Sequence, residues 1–410
     1  MKNSVVKNTT WLFIFQIAKI VFPFITLPYL TRVLTTDTYG TVTYVKTIMT
    51  YMQIVVDFGF ALSGTKEVVH LLQKKEEKEL SNAIGDTIVA RTLLGIVGLI
   101  IIIILSLLIP ILRENVLYTL LSYLVVFESI FLMDFVFRGY EQMHVIAIRF
   151  ILMKVISTIL TFVLIKSDSN MMLIPVLDII SSFMAIILAL YEINKLKIKF
   201  SVSSINNILS KIGDSFVYFL SDVASTSFNA LSTIIIGIYL SKSDIAFWGI
   251  CMQIIGTIQA LYNPISGGLY PEMIKTKDIN IIKKALKFYM PIVILGCIAA
   301  YLFTPLGMNI LGGEKYSSAI PIFRLLIPCL LFGFLANIIG WPILGAINKQ
   351  KEVTLTTVVS VSVNIGLLLI LLFVDKFTLV NIAIVRVITE IVLFSMRYIF
   401  YKKYRNELNK

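Results

Sequence analysis

Twelve apolar stretches alternate with short polar or charged segments along the 410-residue chain. Four of them run without a single charge: 21 residues between Arg91 and Arg113, 26 between Lys287 and Glu314, 24 between Arg324 and Lys349, and 22 between Glu352 and Asp375. About 20 apolar residues suffice for a helix to cross a bilayer. The remaining stretches carry one or two charges each. Together they predict helices near 9–31, 40–62, 83–109, 116–137, 145–165, 171–193, 215–240, 249–270, 285–310, 320–341, 354–374 and 379–400. The fold class expected is all-α, a polytopic membrane protein of about twelve transmembrane helices. The opening run, with Lys2 and Lys7 ahead of it, is too long for a secretion signal and lacks a small-residue cleavage site, so it reads as the first helix.

The polar segment Lys195–Asp214 divides the chain almost in half. The domain organisation expected is an N-terminal six-helix bundle (1–194), a cytoplasmic linker (195–214) and a C-terminal six-helix bundle (215–410). A weak internal echo supports two similar halves. Leu34-Thr-Thr-Asp-Thr-Tyr-Gly40 and Leu240-Ser-Lys-Ser-Asp-Ile-Ala-Phe-Trp-Gly249 both place a leucine, a polar turn and an aromatic-glycine pair before a helix. Parallel repeats of this kind build several transporter folds.

Composition narrows the chemistry. Apolar types make up 58% and charged types 15%, and mean hydropathy is +0.89, far from a globular chain. The net charge of +12 follows the membrane. With the N-terminus inside, 23 Lys and Arg fall in cytoplasmic segments and seven outside, which predicts both termini in the cytoplasm and argues against nucleic acid as partner. The sequence contains no phosphate-cradling glycine loop and no metalloprotease, serine-hydrolase or CxxC motif, and its two histidines, His70 and His144, lie apart. No enzyme, cofactor or metal centre is expected.

Charges at helix depth cost at least ~2.5–3.5 kcal/mol each, so they face protein or water. Asp134 with Arg138 and Arg386 with Glu390 are four apart and can pair on one face; Arg149, Asp86 and Arg91 lie near predicted boundaries, where long side chains reach the interface. Helix 2 is different. Lys46 and Asp57 point within about 20° of each other, with Thr50 and Gln53 in the same arc. Helix 7 repeats the pattern with Asp222 and Asn229, helix 8 adds Gln253, and helix 1 offers Lys19 between the polar end and Pro23. Such stripes suit a hydrated cavity. Lys19, Lys46, Gln53, Asn229 and Gln253 are the candidate substrate-binding residues, the lysines favouring an anion such as phosphate. Asp57 and Asp222 are candidates for coupling or gating, either by taking up an ion or by pairing with Lys19 or Lys46.

Several motifs resemble a known family. Pro23-Phe-Ile-Thr-Leu-Pro-Tyr-Leu-Thr-Arg-Val-Leu34 with Tyr39-Gly40, Phe137-Arg-Gly-Tyr-Glu-Gln-Met143, Leu311-Gly-Gly-Glu-Lys-Tyr-Ser-Ser-Ala319, Ile343-Leu-Gly-Ala-Ile-Asn-Lys-Gln-Lys-Glu352 and Val363-Asn364 are similar to stretches of Wzx-type polysaccharide-unit flippases. These belong to the multidrug/oligosaccharidyl-lipid/polysaccharide exporter superfamily. The resemblance implies two six-helix bundles around a central cavity opening alternately to either side of a bacterial cytoplasmic (inner) membrane. It implies transfer of undecaprenyl-diphosphate-linked oligosaccharide units to the outer leaflet for O-antigen or capsule synthesis, that is, lipopolysaccharide or related polysaccharide biosynthesis. A polysaccharide polymerase and a chain-length regulator are the partner candidates. Lipid II flippases of the superfamily usually have fourteen helices, and this chain has room for twelve. The alternatives are a cation-coupled multidrug exporter of the same superfamily and an integral-membrane polysaccharide polymerase. An exporter of cations would favour an acidic cavity, whereas here two lysines accompany two aspartates.

Overall fold

A computed structural model describes residues 2–408, apart from the side chains of residues 2–7, 9 and 229. Among the described residues, eleven helices or bent helix pairs are long and apolar enough to cross a membrane, or twelve when Ile205–Phe228 and Ala230–Tyr239 count as one. In chain order, spans 1 to 6 are Thr10–Val33, Thr36–Lys74, Glu77–Leu108, Val116–Gly139, Met143–Leu164 and Asp168–Lys195. Span 7 is the bent pair Ile205–Phe228 and Ala230–Tyr239, which meet at 61°. Spans 8 to 12 are Lys242–Thr276, Ile279–Leu302, Ala319–Ile347, Gln350–Phe373 and Leu379–Glu407. All twelve expected helices have a counterpart. The chain forms two compact units, Met1–Val223 and Ala224–Lys410.

The two units build their spans from the same local devices. Span 2 follows Leu34 with Thr35 as N-cap (φ −63°, ψ 160°), its hydroxyl accepting from the Thr38 N–H. Span 8 follows Leu240 with Ser241 as N-cap (φ −75°, ψ 162°), closed into a capping box with Asp244. Spans 3 and 9 each lead into a short helix with proline in its first turn, Pro110–Glu114 and Thr304–Gly312. Spans 4 and 10 both end on a left-handed residue, Glu141 (φ 56°) and Asn348 (φ 61°). The Gln142 N–H then returns to the Phe137 carbonyl at 2.7 Å, and that of Lys349 to Leu344 at 2.9 Å, which is the Schellman closure of a helix C-terminus.

Spans that the sequence suggested as single rods are broken. Span 2 comprises Thr36–Asp57 and Phe60–Lys74, joined through left-handed Phe58 (φ 42°) and Gly59 (φ 78°). A side chain at Gly59 would lie 2.4 Å from the Tyr218 Cβ, so glycine is required both by conformation and by contact. Around this elbow Phe58 stacks on Phe219 (4.4 Å between rings), and the Ser63 and Ser215 hydroxyls sit 2.7 Å apart. Span 4 breaks into a 3-10 turn at Ser129–Leu132 before left-handed Met133. Span 10 passes through a π turn at Ile339–Leu344 around Pro342, where Arg397 donates to the Ala336 carbonyl at 2.7 Å.

The helix of span 7 begins at Ile205, ten residues earlier than its apolar pattern indicated. The segment before it is tied down rather than free. The Ser203 N–H and hydroxyl both donate to Asp86, at 2.8 and 2.7 Å, and Lys211 pairs with Glu67 at 2.7 Å. Asp86 is therefore a buried anchor and not a boundary residue. Gly85 makes this contact possible, because a Cβ there would lie 2.1 Å from the Ser201 carbonyl oxygen. Gly85→Ala is expected to lift the 201–204 segment and cost about 1–3 kcal/mol. Faster trypsin cleavage at Lys199, together with a lower melting temperature in detergent, would report it.

Candidate functional site

The polar stripe of span 2 serves two cavities in the first unit, separated along its length. Lys46, on the N-terminal turns of the stripe, faces a cavity of about 260 Å³ lined also by Tyr118, Ser122, Lys154, Ser157 and Asp178. Pro23 and Pro175 line it too; proline removes a backbone donor, which helices tolerate where a cavity or a neighbour re-satisfies the ladder. Asp178 is already engaged: it accepts from Ser157 at 2.8 Å and pairs with Lys154 at 3.5 Å. Lys46, exposed to this cavity, has no acidic partner among the described residues. Two lysines against one carboxylate leave the lining net positive.

The second cavity, about 400 Å³, holds Lys19, Gln53, Asp57, Arg91, Asp134 and Arg138. Val125 borders both spaces, so the two abut. Asp57 pairs with Arg91, whose other amino group donates to the Ile130 carbonyl that the 3-10 break of span 4 presents. Gln53 donates to the Ser129 hydroxyl at 2.8 Å on the same break. Lys19 lies 4.7 Å from the Phe15 ring centroid, with no carboxylate bonded to it among the described residues. Three cations and two carboxylates again leave one positive charge in excess.

These positions revise four sequence-based expectations. Lys19 and Lys46 do not share one cavity: Lys46 lines the first and Lys19 the second. Asp57 pairs with neither lysine; Arg91, placed near a boundary by the sequence, is buried and takes it. Asp134 does not pair with Arg138, four residues on. It opens the six-residue helix Asp134–Gly139 and is taken by Arg149. Arg149 accordingly does not reach for the interface; it is 4% exposed and also donates to Leu132. Arg386 and Glu390 do pair as their spacing indicated, at 2.8 Å.

Of the other candidates, Asp222 is exposed on span 7. Gln253 is half-buried on span 8, in the second unit, where its carbonyl accepts from Thr257. The Asn229 side chain lies outside the described residues. The sequence reading missed Tyr118, Ser157 and the Lys154–Asp178 pair as neighbours of Lys46 in its cavity. Both charges were visible at helix depth, but nothing in a 24-residue separation says that they meet.

Residues 5–277 match the sequence signature of the polysaccharide biosynthesis protein family. The chain belongs to that family. With eleven or twelve candidate spans among its described residues, it is a multi-pass membrane protein of that family. Among curated polysaccharide biosynthesis proteins, it is 23% identical over 416 residues to a candidate O-antigen transporter of Escherichia coli K12, covering 97% of both chains. A candidate O-antigen transporter of Shigella dysenteriae is 25% identical over 322 residues, or 76% of this chain and 78% of the relative. Among solved structures, the lipid II flippase MurJ in an inward closed conformation superposes with a TM-score of 0.73 at 14% identity, over 97% of this chain and 87% of MurJ. A multidrug resistance MATE family transporter of the MOP superfamily, in an inward-facing conformation, gives 0.64 at 13% identity, over 95% and 99% of the two chains. Both likenesses concern the fold.

Proposed function

We propose that this family member flips undecaprenyl-diphosphate-linked oligosaccharide units from the inner to the outer leaflet of a bacterial cytoplasmic membrane by alternating access, supplying O-antigen or capsule assembly. The observation that carries the reading is the Lys46 cavity. An ammonium group at membrane depth is costly unless something compensates it. Here the nearby carboxylate is spent on Lys154 and Ser157, so the compensating anion must come from outside the chain. A diphosphate supplies it, with the hydroxyls of Tyr118, Ser122 and Ser157 available as donors. The excess positive charge in both cavities disfavours cationic drugs as cargo. Lys19 and Gln53 are proposed to precede Lys46 along the same path, and Asn229 and Gln253 to contribute from the second unit. Asp57, acting through Arg91, and Asp222 are the proposed gating or coupling groups. A polymerase and a chain-length regulator are the proposed partners downstream.

Expression in a host lacking its own repeat-unit flippase tests the reading: surface polysaccharide should return. Accumulation of the lipid-linked unit on the inner leaflet despite expression would refute it. The proposed orientation, with both termini cytoplasmic, makes a separate prediction. Cysteine labels at 75, 199, 277 and 403 should react only from the cytoplasm, and labels at 242 and 376 only from outside. Opposite sides for 199 and 403 would overturn an even number of crossings.

A further inference from the structure

Because the two units repeat the same devices, each part of one unit can be judged against its counterpart. Span 3 and span 9 are such counterparts, third in each unit, and they differ in two independent ways. The first is packing. Twelve residues of Glu77–Leu108 are buried, from Leu80 to Ser106, whereas Ile279–Leu302 buries only Ile279 and Ile282. Span 9 rests on its unit through Ile282, Leu286, Tyr289 and Val293. The opposite face is open. Phe288, Leu295 and Leu302 are 65, 65 and 63% exposed, and with Lys284 they point within about 40° of one another. That stripe runs about 27 Å, close to the thickness of a bilayer's hydrocarbon core.

The second difference is charge. Residues 72–85, leading into span 3, carry Lys74, Lys75 and Lys78 against Glu76, Glu77 and Glu79, a balance of zero. Residues 274–287, leading into span 9, carry Lys275, Lys277, Lys283, Lys284 and Lys287 against Asp278 alone, a balance of +4. Asp278 is in turn occupied as the helix cap, accepting from the Asn280 N–H at 2.9 Å. Asp278, Asn280, Lys283, Lys284 and Lys287 surround a shallow cavity of about 410 Å³. A requirement for cytoplasmic positive charge applies to both loops, which lie on the same side, and so does not account for the contrast between them.

We propose that the open face of span 9 and the lysines at its cytoplasmic end form a docking site for a polyprenyl diphosphate lipid, the diphosphate on Lys284 and Lys287 and the isoprenoid chain along Phe288, Leu295 and Leu302. Charge complementarity selects the headgroup: several lysines with one occupied carboxylate match a group bearing multiple negative charges. The open apolar stripe selects a chain long enough to follow it across the hydrocarbon core. This deepens, and rests on, the proposed function. It assigns to the second unit the capture of the lipid anchor at the inner leaflet, ahead of the cavities in the first unit.

A matched lysine makes the test sharp. Lys75, in the balanced loop before span 3, carries the same weight in setting orientation as Lys284 but does not line the cavity. The full-length protein with Leu295→p-benzoyl-phenylalanine, in phosphatidylcholine nanodiscs, is irradiated with radiolabelled undecaprenyl diphosphate. A crosslink is expected; Lys284→Gln should weaken it about fivefold, as expected for one lysine acting on an anionic lipid, and Lys75→Gln less than twofold. Equal losses in both variants, no crosslink, or displacement of the probe by phosphatidylglycerol as readily as by unlabelled undecaprenyl diphosphate would each overturn the site. Wild-type flipping in vesicles without a crosslink sinks this inference alone. A crosslink without flipping sinks the proposed function and leaves the docking site standing.

Discussion

Lys46→Ala is expected to lower transport of the lipid-linked unit at least about 30-fold at native expression, while the protein remains inserted and folded. Truncating one partner of a desolvated charge pair typically costs 2–5 kcal/mol, and in the proposed complex Lys46 is the cation left for the diphosphate. Lys46→Arg should retain more activity, because it keeps the charge but not the compact ammonium. The neighbouring pair sharpens the expectation. In Lys154→Gln, Asp178 loses its cation and becomes free to neutralise Lys46 across the same cavity, so transport should fall although Lys46 is intact. Adding Asp178→Asn removes the competing charge and should restore transport. Normal flux in Lys46→Ala would return that residue to a structural role.

Arg386→Leu is expected to have the largest effect on stability. Arg386 and Glu390 are 1% and 2% exposed in the second unit, paired at 2.8 Å. Arg386 also donates to the Phe228 carbonyl at 2.7 Å, and Gln259 donates to Glu390 at 3.2 Å. Removing one member leaves a buried, uncompensated charge, which costs about 3–5 kcal/mol. Thermal unfolding in detergent should show a large drop for Arg386→Leu and substantial recovery for Arg386→Leu with Glu390→Leu. A double variant no better than the single one would mean that the network around Gln259 matters more than charge balance.

The contrast between these two clusters explains what the sequence could and could not reveal. Arg386 and Glu390 sit four apart on one uninterrupted helix, so their pairing is a local property. Asp134 and Arg138 have the same spacing, but their helix spans only Asp134–Gly139 and Arg149 of span 5 reaches Asp134 first. Asp57 with Arg91 and Lys154 with Asp178 join different spans, and no periodicity encodes which spans touch. The twelve apolar runs were legible because lipid imposes one length and one composition on every crossing. Their breaks were hidden because Phe58, Met133, Glu141 and Asn348 adopt left-handed backbone without being glycine. The stripe on span 2 was correctly seen as polar, yet its division between two cavities, which share Val125 of span 4, is set by which spans pack against it.

The central claim is that a diphosphate-linked glycan crosses the membrane through this chain. Its most direct test is a vesicle assay with purified full-length protein and a fluorescent undecaprenyl-diphosphate oligosaccharide. Dithionite, or a glycosidase held outside, reports the leaflet exposed. The account predicts that wild-type protein exposes the lipid to the far leaflet, that Lys46→Ala does so at least about 30-fold more slowly, and that a cationic dye is not moved. Vesicles in which wild-type protein leaves the glycolipid where it started, or moves the cationic dye instead, would contradict it.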